Sequence, residues 1–84
     1  MKVYHDHDGT RRYYVAARNL REAAALLSTT VGSIRRNGGR TTEPGVVAVC
    51  MAEPGVVFQR RMDVYPTPAL ERAPHYAGLP EGGR

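Results

Sequence analysis

Tryptophan is absent from these 84 residues, and phenylalanine and cysteine occur once each. Without tryptophan, a core has to come from aliphatic side chains, tyrosines and Phe58. A chain of this length buries only about 60–65% of the surface its unfolded form exposes, so one small domain is the expectation and stability is modest. The lone Cys50 excludes an internal disulfide and suits a reducing compartment. Set between Val49 and Met51, it reads as a small buried hydrophobe rather than a nucleophile. No apolar run approaches the roughly 20 residues that span a bilayer. No apolar stretch follows Met1-Lys2-Val3-Tyr4-His5-Asp6, so neither membrane nor secretory targeting is expected.

Catalytic signatures are missing too. No serine stands in a nucleophile elbow, no glycine-rich phosphate loop opens a helix, and no carboxylate pair shares a face. Asp6, Asp8, Asp63 and the five glutamates are scattered among turns and caps. The segment His5-Asp6-His7-Asp8 has metal-ligand types at strand spacing, which would turn two imidazoles the same way. Only His75 remains as a further histidine and no cysteine pair accompanies it, so a polar hairpin tip accounts for the four. The expectation is no enzyme, no metal and no cofactor.

What the sequence does have is arginine. Residues 11–61 contain nine arginines against three glutamates, whereas the first ten residues and the last twenty-three are each slightly acidic. A basic centre of this kind favours polyanions or an acidic protein surface, although it also serves solubility. The candidate contact residues are Arg11, Arg12, Arg35, Arg36, Arg40, Arg60 and Arg61.

Lys2–His5 and Arg11–Ala17 read as a β-hairpin closed by Asp6-His7-Asp8-Gly9, the Asp-Gly pair supplying the positive φ of a tight turn. Alternation along Arg11–Ala17 fits one buried face. Asn19 and Glu22 form a capping box for a helix that places Leu20, Ala23, Ala24 and Leu27 on one side. Thr30 caps a second short helix with Ile34 inward and Arg35 and Arg36 outward, and Asn37-Gly38-Gly39 ends it through a left-handed glycine. Glu-Pro-Gly-Val-Val occurs at 43–47 and again at 53–57. The second copy leads into a strand at 55–61. For 43–52 the valines favour strand and Ala48, Met51, Ala52 and the early proline favour helix, so periodicity leaves both open. Beyond residue 62, four of the six prolines and several glycines predict a mobile tail over 63–84 behind a compact domain at 1–62.

Two patterns suggest nucleic acid. Residues 22–36 resemble a helix-turn-helix, with Thr30, Gly32, Ser33, Arg35 and Arg36 placed to face DNA. Ser28 stands where that motif usually has glycine, and the second helix is short. Arg11-Arg12-Tyr13-Tyr14 offers phosphate contact with base stacking, although strand alternation turns one tyrosine inward.

The order Arg12-Tyr13-Tyr14-Val15-Ala16-Ala17, an alanine-rich helix, Ile34-Arg35, Gly38-Gly39 and then Ala52-Glu53-Pro54-Gly55-Val56-Val57-Phe58-Gln59-Arg60 is similar to small uncharacterised bacteriophage and prophage proteins of GC-rich bacteria. The similarity covers residues 11–61. It implies a helix at 43–52, a bacterial cytoplasmic setting, and a protein acting stoichiometrically on a host macromolecule. That target would be a host protein or protein–nucleic acid complex, including defence systems such as CRISPR effectors, or else phage transcription. The expected fold is α+β: a small antiparallel sheet from the N-terminal hairpin and one later strand, covered on one face by two or three short helices. Its expected core is Val3, Val15, Leu20, Ala24, Leu27, Val31, Ile34, Val47, Met51, Val57 and Phe58.

Overall fold

Gly9 adopts φ 62, and the chain reverses over Gly9-Thr10 so that Asp8 pairs with Arg11. A tight turn with positive φ only at its first central residue matches the right-handed twist of the flanking strands. The hairpin is therefore longer than the sequence reading allowed. Strand β1 runs over Lys2–Asp8 and β2 over Arg11–Ala17, so Asp6, His7 and Asp8 belong to the ladder and not to the turn. The structure, a computed structural model, describes residues 1–73.

Helix α1 spans Leu20–Leu26 and starts where Asn19 Oδ1 accepts from the Glu22 N–H at 2.8 Å. Glu22 reaches back one residue beyond the cap, accepting from the Arg18 N–H at 2.7 Å, where a capping box would use the Asn19 N–H. Helix α2 spans Val31–Asn37, with Thr30 Oγ1 accepting from the Ser33 N–H. Gly38 follows it, but with φ −144 rather than a left-handed conformation. Glycine is needed there for another reason: a Cβ would lie 2.0 Å from the His5 carbonyl oxygen. That close approach lets β3, Gly39–Thr41, pair with β1. The sequence reading did not contain this strand.

Residues 44–52 are helical, forming α3 at Pro44–Ala52. Pro44 fits the first turn because its missing N–H would have no intrahelical partner there. Strand β4, Phe58–Arg61, pairs with β2, and β5, Glu71–Arg72, pairs with β4. Of the expected mobile tail, residues 74–84, with His75, lie outside the described residues. Within the remainder, β5 is in the sheet, and buried Ala73 donates its N–H to the Val57 carbonyl.

All strand pairs are antiparallel, in the order β3-β1-β2-β4-β5. The sheet is covered on both faces, not one. Tyr4, Val15 and Ala17 meet Ala23, Ala24, Leu27 and Ile34 of the α1–α2 layer. Val3, Tyr14, Ala16 and Phe58 meet Val46 and Cys50 of α3. The sandwiching follows from Tyr14-Val15-Ala16-Ala17, which offers apolar groups to both sides of the central strand. Met51, expected inside, is 40% exposed, because Val46 and Cys50, four residues apart, set the inner face of α3. No helix among the described residues is long and apolar enough to cross a membrane.

Candidate macromolecule-binding surface

Strand register brings four of the seven candidate arginines together. Arg11 pairs with Arg61 and Arg12 with Arg60, across β2 and β4 at the hairpin end of the sheet. Alternation then divides them between the two faces. Arg12 and Arg60 lie on the α3 side with Tyr14 and Phe58, and Arg11 and Arg61 on the α1–α2 side with Tyr13 and Gln59. Arg35 and Arg36 are exposed in the last turn of α2, and Arg40 is exposed on β3 opposite Tyr4. The seven therefore form separate groups.

The two cross-strand pairs differ in how their charge is met. Arg61 makes a two-pronged contact with Asp63, at 2.9 and 2.7 Å, which holds the Asp63 carboxyl below its ordinary pKa. Arg11 stands opposite Asp8 in the hairpin. On the other face, Arg12 has no carboxylate within ion-pair distance among the described residues. Arg60 donates from Nη2 to Tyr14 Oη at 2.9 Å, and its guanidinium lies 5.5 Å from the centroid of the same ring. Its one acidic neighbour among the described residues is Glu43, a long 3.5 Å contact. The Nε atoms of both Arg12 and Arg60 are buried and have no acceptor among the described residues.

His7, which the sequence reading placed in the turn, extends this row. It pairs with Arg12, so His7, Arg12 and Arg60 stand in one row across three strands. One row further in, His5 packs at 5.9 Å from the Tyr14 ring, with Nδ1 2.7 Å from Thr41 Oγ1. Burial and then the Arg12 charge lower the His5 pKa from its ordinary value. Like charges directly opposite one another destabilise a sheet, and each buried donor without a partner costs about 1–3 kcal/mol. At Arg60 the Tyr14 contacts and Glu43 offset part of this cost, whereas Arg12 has no ion pair among the described residues.

The metal reading of His5-Asp6-His7-Asp8 meets the same alternation. The histidines lie on the α3 side, whereas Asp6 turns to the other face, where Oδ2 accepts from Ser33 Oγ at 3.0 Å and Oδ1 from the His7 N–H. No group of three metal-ligating side chains forms among the described residues.

In the helix-turn-helix segment, Ser28 takes φ 55, the left-handed conformation for which that motif uses glycine. Thr30, Arg35 and Arg36 are exposed. Gly32 lies beneath Arg36, since a Cβ there would be 3.2 Å from Nη1. Ser33 faces the sheet through Asp6, so the five proposed DNA-reading residues do not share one outer surface. As for stacking, Tyr14 is 1% exposed and Tyr13 is half-buried, which leaves no platform of two rings.

Sequence reasoning singled out His7 only as a metal-ligand candidate in a polar hairpin tip, and assigned no site role to Glu43 or the Tyr14 hydroxyl. The signal for His7 was a two-residue turn at Gly9-Thr10, since counting back from it places His7 across from Arg12. No protein-family model matches the chain, and no curated protein or solved structure is detectably similar to it.

Proposed function

We propose that this is a non-enzymatic accessory protein that binds an acidic host macromolecule through arginines displayed on its sheet. The phage-type pattern of residues 11–61 makes counter-defence, in the manner of an anti-CRISPR protein acting in the bacterial cytoplasm, the favoured setting. The observation that carries the reading is the cross-strand pair Arg12–Arg60, in which Arg12 has no ion pair and neither Nε has an acceptor among the described residues. Local arrangements that cost stability without a packing return mark surfaces shaped for contact. An acidic partner would supply opposite charge to these guanidinium groups, and charge-assisted bonds to guanidinium are the strong ones.

The test is capture of partners from a nuclease-treated bacterial lysate by the native protein and by Arg12→Glu. The expected result is one protein or complex recovered stoichiometrically by the native chain and lost with the variant. Recovery only of nucleic acid that a salt wash removes would count against the reading.

A second reading, a DNA-binding regulator working through residues 30–36, is favoured by the left-handed Ser28 between two capped helices. It requires a preferred DNA site, binding that falls steeply with salt, and loss of both in Arg35→Ala/Arg36→Ala.

A further inference from the structure

Helix α3 has the sequence Pro-Gly-Val-Val-Ala-Val-Cys-Met-Ala, with no charged or hydrogen-bonding polar side chain on any face. A helix apolar all round belongs in an interior. Here only Val46 and Cys50 are buried, while Gly45, Ala48, Val49, Met51 and Ala52 are exposed. The helix lies on the same side of the sheet as the His7–Arg12–Arg60 row, and Arg60 of that row meets it at a groove. Val46, Val49, Ala69 and Leu70 give this groove apolar walls, Arg60 and Glu43 stand beside them, and its volume is about 220 Å³. That is below the roughly 300–1,000 Å³ of small-molecule pockets and suits one or two side chains of a macromolecule.

We infer that the α3–Arg60 groove is the contact surface itself, and that its occupant is an acidic protein segment in which a carboxylate flanks an aliphatic side chain. This rests on the reading that the protein binds an acidic macromolecule, and it names the face and the partner's chemistry. The aliphatic group sits between Val49 and Leu70, and the carboxylate takes the place of Glu43 at Arg60. Two observations favour protein over nucleic acid. An apolar helix surface offers no donors to phosphates, which dominate nucleic-acid binding. The Tyr14 and Phe58 rings on this face are both buried and cannot stack a base. A second copy of this chain is disfavoured by charge, because it would bring its own +4 and its own arginine row. Charge depletion at the centre with arginine and methionine nearby is the composition of protein-binding surfaces.

The full chain, labelled with ¹⁵N, is titrated with a synthetic amphipathic helical peptide of about 15 residues, leucines on one face and glutamates on the other. The comparison probes are the same peptide with lysine for glutamate, polyglutamate, and a short DNA duplex, all at about 0.15 M salt. The expected result is saturable binding of the acidic amphipathic peptide alone, with shifts at 45–52, 60 and 70. Val49→Asp and, independently, Ala48→Glu weaken it about tenfold at exposed positions that leave the core intact. Glu43→Gln strengthens it by about threefold, because a competing carboxylate is removed. Arg35→Glu/Arg36→Glu leaves it unchanged. Equal binding of the lysine peptide, tighter binding of DNA at this face, or a dimer in sedimentation that Val49→Asp dissociates would each overturn the inference. If acidic probes bind but map to Arg11, Arg12 and Arg61 at the hairpin end of the sheet and ignore Val49→Asp, this groove is wrong and the broader reading stands; mapping to α2 with loss in Arg35→Glu/Arg36→Glu removes both. Failure of every acidic probe to bind any face removes both.

Discussion

Gly38 lies so close to β1 that a Cβ on it would stand 2.0 Å from the His5 carbonyl oxygen and 3.0 Å from the Asp6 Cα. Both neighbours are backbone atoms of a strand paired on either side, by β2 and by β3, so neither moves cheaply. This contact is where α2 ends and the edge strand β3 begins.

Gly38→Ala should therefore destabilise by about 3 kcal/mol or more, the upper end for inserting a methyl group into a packed site. In a domain of this size that lowers Tm by on the order of 15 °C. Thermal unfolding followed by circular dichroism checks it, and Gly45→Ala, where nothing lies within 4 Å, serves as the control.

Ser33→Ala should cost about 1–2 kcal/mol, read as a lower urea midpoint at neutral pH. Asp6 is 8% exposed, and the Ser33 hydroxyl and the His7 N–H donate to its carboxylate. Removing one donor leaves a buried charge with fewer partners.

His5 gives stability a pH dependence of defined sign. Burial and the Arg12 guanidinium lower its pKa in the folded chain below the ordinary 6.5. Between the folded value and 6.5 the unfolded chain holds more protons, so stability rises with pH across that window. The contribution is complete above 6.5 and is lost as pH falls through the folded value. Urea midpoints measured from about pH 5 to pH 8 should show this slope, and His5→Gln should flatten it.

Cys50 is fully buried against the sheet, and burial pushes its thiol up to about 11. Since the thiolate is the reactive form, a disulfide reagent at about pH 8 should label the native chain far more slowly than the denatured one. Labelling of the native protein should accelerate in parallel with unfolding as urea is added. Fast stoichiometric labelling without denaturant would contradict the packing of α3.

The two helix caps and the location of both hairpin strands were legible because their determinants are local. Asn19 and Thr30 bond within three residues of themselves, and Gly9 carries its own turn conformation. Register was not legible. A turn of two residues instead of four moved His7 from a loop to a position across from Arg12, and that single choice decides whether His7 joins the Arg12–Arg60 row. The helical state of 44–52 was also beyond periodicity, since a run with no polar residue has no pattern to read.

By itself, then, the sequence determined an α+β chain with a basic centre, two capped helices and a hairpin at its start. Tertiary structure decided which arginines are neighbours, because strand pairing joins residues nearly fifty positions apart, as with Arg12 and Arg60. It also decided that α3 covers the second face of the sheet and leaves an apolar surface in water beside Arg60. Local rules fix what a segment prefers, whereas the side of a sheet on which a helix comes to rest depends on burial summed over the whole chain.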